Sequence, residues 1–118
     1  MKNANSKNIK CPFGVAIESI NGKWKGHILW HLSKHEVLRY GEIRKLLGKV
    51  TQKMLTQSLR ELESSKLVNR KVYPVIPPKV EYTLTEHGKS LIPILLQLYH
   101  WGEDLSKELG IVFQKEIS

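Results

Sequence analysis

The stretch TQKMLTQSLREL, from Thr51 to Leu62, carries the pattern that decides the fold. Leu55, Leu59 and Leu62 recur at helical spacing and predict an α-helix with one apolar stripe facing a core. Thr51 precedes this helix and is a favourable N-cap residue. The opposite face lacks the Glu and Lys pairs that are usual on a solvated helix. It presents amides, hydroxyls and cations instead, from Gln52, Lys53, Thr56, Gln57 and Arg60.

The composition suggests what this polar face contacts. The chain has 118 residues, the size of one domain, and carries 19 Lys and Arg against 11 Asp and Glu, a net charge of +8. Such a surface attracts polyanions, and nucleic acid is the leading candidate. An anionic membrane, an acidic protein and a basic surface without a partner are the alternatives.

The ends of the chain and its cysteine content indicate the compartment. Cys11 is the single cysteine, so no disulfide can form within the chain, and a reducing, cytoplasmic location is expected. MKNANSKNIK, residues 1–10, lacks the apolar segment of a secretory signal and predicts a disordered basic arm. The most apolar segment, LIPILLQLYHW, is shorter than the roughly 18 residues of a membrane span. We expect one domain over residues 11–110, a tail over 111–118 and no membrane association.

Three further helices are predicted before Thr51. Their segments are CPFGVAIESI, KWKGHILWHLSKH and YGEIRKLLG, residues 11–20, 23–35 and 40–48. Pro12 suits the first turn of the first helix, and Gly48 suits the end of the third. In the third helix the spacing predicts that Ile43, Leu46 and Leu47 face the core.

The period of the pattern changes after the Thr51 helix. In LVNRKVYP and KVEYTL, residues 67–74 and 79–84, apolar and polar side chains alternate, which predicts two strands joined by a proline-rich connector. Thr85 is the expected N-cap of a last helix that runs to about Leu109, and Pro93 should kink that helix or mark a later start. Short helices followed by a hairpin outline an α+β, mainly α fold, the winged helix-turn-helix with a two-stranded wing.

This outline gives the polar face of the Thr51 helix a role. In helix-turn-helix proteins the second helix of the pair lies in the major groove of double-stranded DNA. Gln can pair with adenine, Arg or Lys with guanine, and Thr can contact a base or a thymine methyl group. The basic hairpin residues Arg70, Lys71 and Lys79 would contact the DNA backbone or minor groove. A polar helix that is merely exposed to water is the alternative.

Three segments in a fixed order carry a family resemblance. They are CPFGVAIESINGKW (11–24), LRYGEIRKLLGKVTQKMLTQSLRELESSKLVNRKVYPVIPPKVEYTLTEHGKSL (38–91) and the Trp101-Gly102 pair. Together they resemble the HxlR-type winged helix regulators of bacteria and archaea over about residues 11–105. The resemblance implies a homodimeric DNA-binding transcription factor, in most cases a repressor, that pairs through its first and last helices and binds an inverted-repeat operator. It does not identify the inducing signal.

The predicted dimer interface follows from apolar residues of the first and last helices. The last helix carries more apolar surface than one small core needs, and surplus apolar surface often marks an interface. A helix buried in the core is the competing interpretation. The interface residues expected are Phe13, Ile17, Leu95, Leu98, Tyr99, Trp101 and Leu105.

Cys11 is a candidate sensing residue. It precedes Pro12 at the start of the first helix, where the helix dipole and the nearby Lys7 and Lys10 would favour the thiolate. In HxlR-type relatives a cysteine before this proline often senses oxidants, quinones or aldehydes, so the resemblance implies the same role for Cys11. Its products would be an adduct, a mixed disulfide or a bond to the partner subunit's Cys11. A small buried apolar residue is the alternative.

No motif predicts catalysis, a cofactor or a metal site. His27, His31 and His35 are spaced so that a pair of them could bind a divalent metal, but no acidic residue completes that site. His100 with Glu103 and Asp104 forms a cluster of a kind that surface helices often contain. The segment TEHG is not HExxH, and no nucleophile motif or glycine-rich phosphate loop is present, so an enzyme is not expected.

A protein-interaction module with only non-specific DNA affinity is the alternative function. Winged helices also serve as docking surfaces. Such a module should expose an apolar or aromatic anchor on the Thr51 helix. The polar face of that helix lacks one, which favours the DNA-binding interpretation.

Overall fold

The computed structural model describes residues 11–113. The predicted N-terminal arm, with Lys7 and Lys10, lies outside the described residues, as do residues 114–118 of the predicted tail. The elements within the described range are α1 (Pro12–Ile20), α2 (Lys25–His35), β1 (Leu38–Arg39), α3 (Tyr40–Leu47), α4 (Gln52–Ser64), β2 (Val68–Tyr73), β3 (Lys79–Leu84) and α5 (Glu86–Leu109).

The predicted hairpin is confirmed, but it belongs to a larger sheet. β2 and β3 pair antiparallel along their whole length, so that Tyr73 lies opposite Lys79. β1 adds a third antiparallel strand, in which Leu38 pairs with Tyr82, and the order is β1-β3-β2. The two-stranded prediction omitted β1 because a strand of two residues is too short to show an alternating pattern.

The predicted helix ends follow local capping chemistry. The Thr51 hydroxyl accepts a hydrogen bond from the Met54 amide at 3.1 Å, which confirms Thr51 as the N-cap of α4. The Thr85 hydroxyl accepts one from the Gly88 amide at 3.0 Å and caps α5. Gly48 ends α3 with a φ of 78°, a conformation that glycine adopts without strain. Neighbouring residues therefore determine these three boundaries.

The hydrophobic core lies between α2, α3, α4 and the sheet. Its central side chains, fully or almost fully buried, are Ile28, Leu29, Leu32, Ile43, Leu55, Leu59, Leu62 and Val68. The prediction that Leu46 faces the core is wrong, because 39% of Leu46 is exposed. The short helix α3 contacts the core through a narrow stripe set by Ile43 and Leu47, and Leu46 lies beside that stripe.

The last helix is continuous through its proline. α5 begins at Glu86, so the expectation that Pro93 marks a later start is wrong. Proline cannot donate to the carbonyl group four residues earlier, which belongs to Lys89. Both Lys89 and Pro93 are exposed, so this carbonyl lies on the side of the helix where water can replace the missing donor.

One histidine of α2 lies in the core. His31 is 2% exposed, and its Nε2 atom has no hydrogen-bond partner among the described residues. Burial, with the nearby His35 and His27, lowers the pKa of His31 below its ordinary value. The side chain is therefore neutral at pH 7, which the sequence pattern could not indicate.

At the start of α5, the backbone of Gly88 packs closely against the backbone of Leu67. It is buried beneath the Leu67 carbonyl group, and a Cβ atom at Gly88 would collide with the Leu67 oxygen. The Leu67 carbonyl also accepts a hydrogen bond from the Thr85 amide at 3.0 Å, so it cannot move away freely. The junction between the sheet and α5 thus requires a residue without a side chain.

We expect Gly88→Ala to lower the free energy of unfolding by about 1–3 kcal/mol, the usual cost of overpacking a site that cannot relax. Urea denaturation measures the change. Gly41→Ala is the matched control, since Gly41 is helical and a Cβ atom there meets no neighbour within 4 Å. That variant should be as stable as the wild type or slightly more stable. Equal stability of Gly88→Ala would contradict the assigned contact.

Candidate nucleic-acid interface

The polar face of α4 points away from the core. Leu55, Leu59 and Leu62 are buried on the inner side, whereas Gln52, Lys53, Gln57 and Arg60 are exposed. Lys53, Gln57 and Arg60 are spaced by four and three residues and share the centre of the outer face. The structure thus brings together three side chains that can each bind a base edge.

Thr51, which caps α4, and Thr56, within α4, are both engaged in hydrogen bonds inside the fold. The Thr51 hydroxyl forms the cap, and Thr56 is half-buried with its hydroxyl 3.1 Å from the Tyr40 hydroxyl. Tyr40 also donates a hydrogen bond to the Gln52 carbonyl oxygen at 3.1 Å. Since Tyr40 has one hydroxyl proton, Thr56 is then the donor in the bond between the two hydroxyls. Tyr40 therefore ties α3 to the first turns of α4.

A second tie joins α4 to α2. The Lys25 ammonium group lies 2.9 Å from Glu61 Oε1, and its side chain is only 8% exposed. The second carboxylate oxygen, Glu61 Oε2, accepts a hydrogen bond from Gln57 Nε2 at 3.0 Å. Glu61 thus orients the side chain of Gln57 by a hydrogen bond, and Lys25 in turn orients Glu61 by an ion pair.

A polar cleft separates α4 from the hairpin. It has a volume of about 370 Å³, and Arg60 and Arg70 are both part of its lining. The remaining lining residues are Tyr40, Thr56, Leu59, Glu63 and Tyr82. Residues predicted separately for base and backbone contacts therefore meet at one cleft of the surface.

The hairpin lysines are held around one aromatic ring. Lys71 Nζ lies 5.0 Å and Lys79 Nζ 4.7 Å from the centre of the Tyr73 ring, within the range of cation–π attraction. The Tyr73 hydroxyl donates to Glu81 Oε1 at 2.9 Å, and Lys79 lies 3.5 Å from Glu81 Oε2. The Tyr73 hydrogen bond, with the positive charge of Lys79, lowers the pKa of the Glu81 carboxyl. Glu81 therefore stays ionised and anchors this cluster.

Four residues that support the candidate interface are not among those predicted for it, namely Lys25, Tyr40, Glu61 and Tyr73. Gln57 and Glu61 are spaced i and i+4 on one helix, and this spacing alone indicates the pair. The partners Lys25 and Tyr40 come from other helices, so no local pattern reveals them.

Apolar side chains cover α1 and the outer face of α5. No residue of α1 is buried in the single chain, although the helix contains Phe13, Val15 and Ile17. Leu95 differs from the other expected interface residues, since it is half-buried and packs against the core with Leu91. The remaining ones are exposed, namely Phe13 (74%), Ile17 (45%), Leu98 (51%), Tyr99 (49%), Trp101 (63%) and Leu105 (40%).

Cys11 is the N-cap of α1. Its sulfur accepts a hydrogen bond from the Gly14 amide at 3.4 Å, and the residue is exposed in the single chain. In the single chain Cys11 is therefore not the small buried residue of the alternative interpretation. The expected influence of Lys7 and Lys10 lies outside the described residues.

Residues 11–113 hold no group of three or more His, Cys, Asp or Glu side chains arranged to bind a metal ion. His31 is in the core, while His100 Nδ1 lies 3.0 Å from Glu103 Oε1 on the surface of α5. In the same range no helix combines the length and apolar character that crossing a bilayer would require.

The order of helices, the hairpin and the exposed polar face of α4 define a winged helix-turn-helix protein. A family model described as HxlR-like helix-turn-helix matches residues 19–109, and the chain belongs to this family. It is a transcriptional regulator of the helix-turn-helix type, as are its relatives. The family consists of regulators rather than enzymes.

Individual relatives support this assignment. An uncharacterized HTH-type transcriptional regulator of Methanothermobacter thermautotrophicus is 56% identical over 93 residues, which cover 79% of this chain and 70% of the relative. The solved structure of the redox regulator HypR in its reduced form has a TM-score of 0.77 at 44% identity, covering 85% of this chain and 98% of HypR. The reduced transcriptional regulator YodB of Bacillus subtilis has a TM-score of 0.70 at 34% identity, covering 80% and 93%.

We expect Tyr73→Phe to raise the pKa of Glu81 toward its ordinary value, because the variant keeps the ring but loses the hydrogen bond to the carboxylate. A lowered carboxyl pKa stabilises the fold above the unfolded-state value of about 4.3 and ceases to do so as the pH falls through the folded-state value. The variant should therefore lose less stability in acid. An NMR titration of the Glu81 carboxyl group measures the shift.

Tyr82→Phe is the control for this titration. Tyr82 follows Glu81 in β3, and successive side chains of a strand point to opposite faces, so its hydroxyl is not part of the Tyr73 cluster. The Glu81 titration should match the wild type in this control. A wild-type titration in Tyr73→Phe would contradict the assigned hydrogen bond.

Proposed function

We propose that this protein is a sequence-specific DNA-binding repressor that acts as a homodimer on an inverted-repeat operator. The observation that carries the proposal is the exposed outer face of α4, where Lys53, Gln57 and Arg60 lie together and Arg60 shares a cleft with Arg70 of the hairpin. Membership of a helix-turn-helix regulator family supports the same function. The repressor role rests on the family resemblance.

In this proposal α4 is the recognition helix and lies in the major groove. Gln57 reads adenine, and Lys53 and Arg60 read guanine, because these side chains match the exposed edges of those bases. Thr51 and Gln52 lie at the N-terminus of the helix, where free amide groups favour a phosphate. Thr56 contacts a base through its methyl group, or through its hydroxyl group once the hydrogen bond to Tyr40 is broken.

The hairpin supplies contacts to the DNA backbone. Lys71 and Lys79 are gathered on the ring of Tyr73 and present two positive charges from adjacent strands. Arg70 lies at the cleft between the hairpin and α4, close to where a phosphate would pass. These contacts add affinity that depends on salt but not on sequence.

Homodimerisation is proposed through α1 and α5. Both helices expose apolar side chains that a single chain leaves in contact with water, which favours burial against a second copy. Phe13 and Trp101 are the most exposed of the expected interface residues. A twofold dimer would present its recognition helices to half-sites about 34 Å apart.

Cys11 is proposed as a redox or electrophile sensor. It is exposed and caps α1, a helix of the proposed dimer interface, and relatives of known structure include the redox regulator HypR. An oxidant such as diamide would join the thiol of Cys11 to that of the partner subunit's Cys11. The diazene would take up the two electrons and two protons and become a hydrazine. An electrophile would instead form an adduct at the sulfur.

Binding to DNA is tested by fluorescence anisotropy with reduced protein at ~0.15 M salt. We expect affinity at least ~10³-fold higher for an operator, taken from upstream of its own gene or selected from random duplexes, than for a scrambled duplex. Arg60→Ala should cost about 1–3 kcal/mol on the operator and little on the scrambled duplex. Lys79→Ala should weaken both alike and lower the salt slope by about 1.

Two outcomes of this titration would contradict the proposal. Equal, weak and salt-sensitive binding to all duplexes would indicate only a basic surface and would favour a protein-interaction module. Equal losses on operator and scrambled duplex for Arg60→Ala would remove the base-reading role of Arg60.

The sensor role is tested by treating the operator complex with diamide. We expect affinity to fall at least ~10-fold in the wild type, with a disulfide-linked dimer on a non-reducing gel, and to recover after thiol reduction. Cys11→Ser is the matched control and should bind the operator before and after treatment alike. A response of Cys11→Ser equal to that of the wild type would exclude Cys11 as the sensor.

A further inference from the structure

Three side chains form a hydrogen-bonded series that runs from the core to the outer face of α4. Lys25 of α2 is buried, and its ammonium group lies 2.9 Å from Glu61 Oε1. Glu61 lies at the edge of α4, half-buried, and its Oε2 atom accepts from Gln57 Nε2 at 3.0 Å. Gln57 is exposed at the centre of the face proposed to read bases.

The chemistry of each member determines which way the next one turns. An ammonium group can only donate hydrogen bonds, and a carboxylate can only accept them. Glu61 therefore offers Gln57 only acceptors, and Gln57 bonds it through its NH₂ group, with Nε2 3.0 Å from Glu61 Oε2. The Gln57 carbonyl oxygen is left facing outward. No other orientation of this amide places a donor against the carboxylate.

We propose that Lys25 and Glu61 are positioning residues that set the donor–acceptor direction of Gln57 and thereby make it specific for adenine. The outward oxygen can accept from the adenine N6 amino group. The second proton of Nε2, which Glu61 does not use, can donate to adenine N7. This inference rests on the proposed function and adds to it the base that one named side chain reads and the cause of that choice.

The orientation of the Gln57 amide matters because an unrestrained glutamine can turn either its oxygen or its NH₂ group toward a base. Rotation by about 180° about its last bond exchanges oxygen and nitrogen, so an unrestrained Gln57 could present an acceptor to adenine or a donor to guanine or thymine. Guanine offers only acceptors at N7 and O6, and thymine offers only O4 in the major groove. With the oxygen fixed outward, guanine can accept only the second Nε2 proton at N7 while its O6 faces the Gln57 oxygen, and thymine offers that oxygen no donor. Both bases are therefore penalised relative to adenine.

The substitution Glu61→Gln should reverse the orientation of the Gln57 amide while keeping the hydrogen bonds between Lys25, residue 61 and Gln57. Lys25 still requires an acceptor, so the new amide turns its oxygen to Lys25 and its NH₂ group to Gln57. Gln57 must then turn its own oxygen inward and its NH₂ group outward. The variant should lose the adenine preference at that base pair and gain a preference for guanine or thymine, while overall operator-type binding persists.

The experiment selects binding sequences from a randomised duplex pool with the wild type, Glu61→Gln and Gln57→Ala. In the wild type we expect one position in each half-site where adenine is favoured about tenfold or more. Gln57→Ala should abolish the preference at that position alone. Glu61→Gln should move it to guanine or thymine. Replacing this adenine by 7-deazaadenine, or by purine without the N6 amino group, should weaken wild-type binding in both cases.

Glu86→Gln is the control for the change of net charge. Glu86 lies at the start of α5, its side chain is 94% exposed, and its ion-pair partner is Lys89 of the same helix. This variant loses the same negative charge as Glu61→Gln and should retain the wild-type preference. Circular dichroism and thermal unfolding of all variants establish that they are folded before selection.

The outcomes separate this inference from the proposed function. If Glu61→Gln keeps the adenine preference that Gln57→Ala loses, the positioning role is overturned while sequence-specific binding stands. If Gln57→Ala keeps the preference, Gln57 is not the reading residue and the inference is overturned. If the folded wild type enriches no sequence, the proposed function fails and this inference fails with it.

Discussion

The burial of the leucine stripe of α4 is the contact on which the other features depend. Leu55, Leu59 and Leu62 lock the rotation of this helix about its own axis, because any other rotation would place amides or charges in the core. The side chains on the outer face owe their direction to this inner contact. The bonds from Tyr40 and Lys25 then fix the helix at two further points, one toward α3 and one toward α2.

Local features of the fold were predictable from the sequence, whereas contacts between distant elements were not. The caps Thr51 and Thr85 and the end at Gly48 depend on neighbouring residues, so spacing reveals them. β1 and the exposure of Leu46 depend on how elements meet in space, and the pattern missed both. Four of the five residues predicted for the polar α4 face are exposed, whereas Thr56 is half-buried against Tyr40. The residues that support this face were not predicted, since Lys25 and Glu61 pair across two helices.

The surfaces proposed for DNA and for the dimer are connected by direct packing. α1 contacts α4, and α5 packs on α2, which holds α4 through Lys25 and Glu61. A displacement of α1 can therefore act on α4, the proposed recognition helix, by direct contact. Cys11 caps the N-terminus of α1, so chemistry at this sulfur acts on an element that already touches α4. Only α1 therefore lies between Cys11, the proposed sensor, and α4, the proposed recognition helix.

The Tyr73 ring, which contacts Lys71 and Lys79 of the hairpin, lowers the conformational entropy of these two lysine side chains before any ligand binds. A lysine side chain on an open surface samples many rotamers, and fixing it costs up to about 2 kcal/mol. Lys71 and Lys79 have already given up part of this freedom, since both ammonium groups rest on Tyr73 and the Tyr73 hydroxyl is held by Glu81. Any anion that binds between them meets cations that are already in place. Less of the binding energy is then spent on ordering the side chains, so the hairpin binds as a preorganised surface.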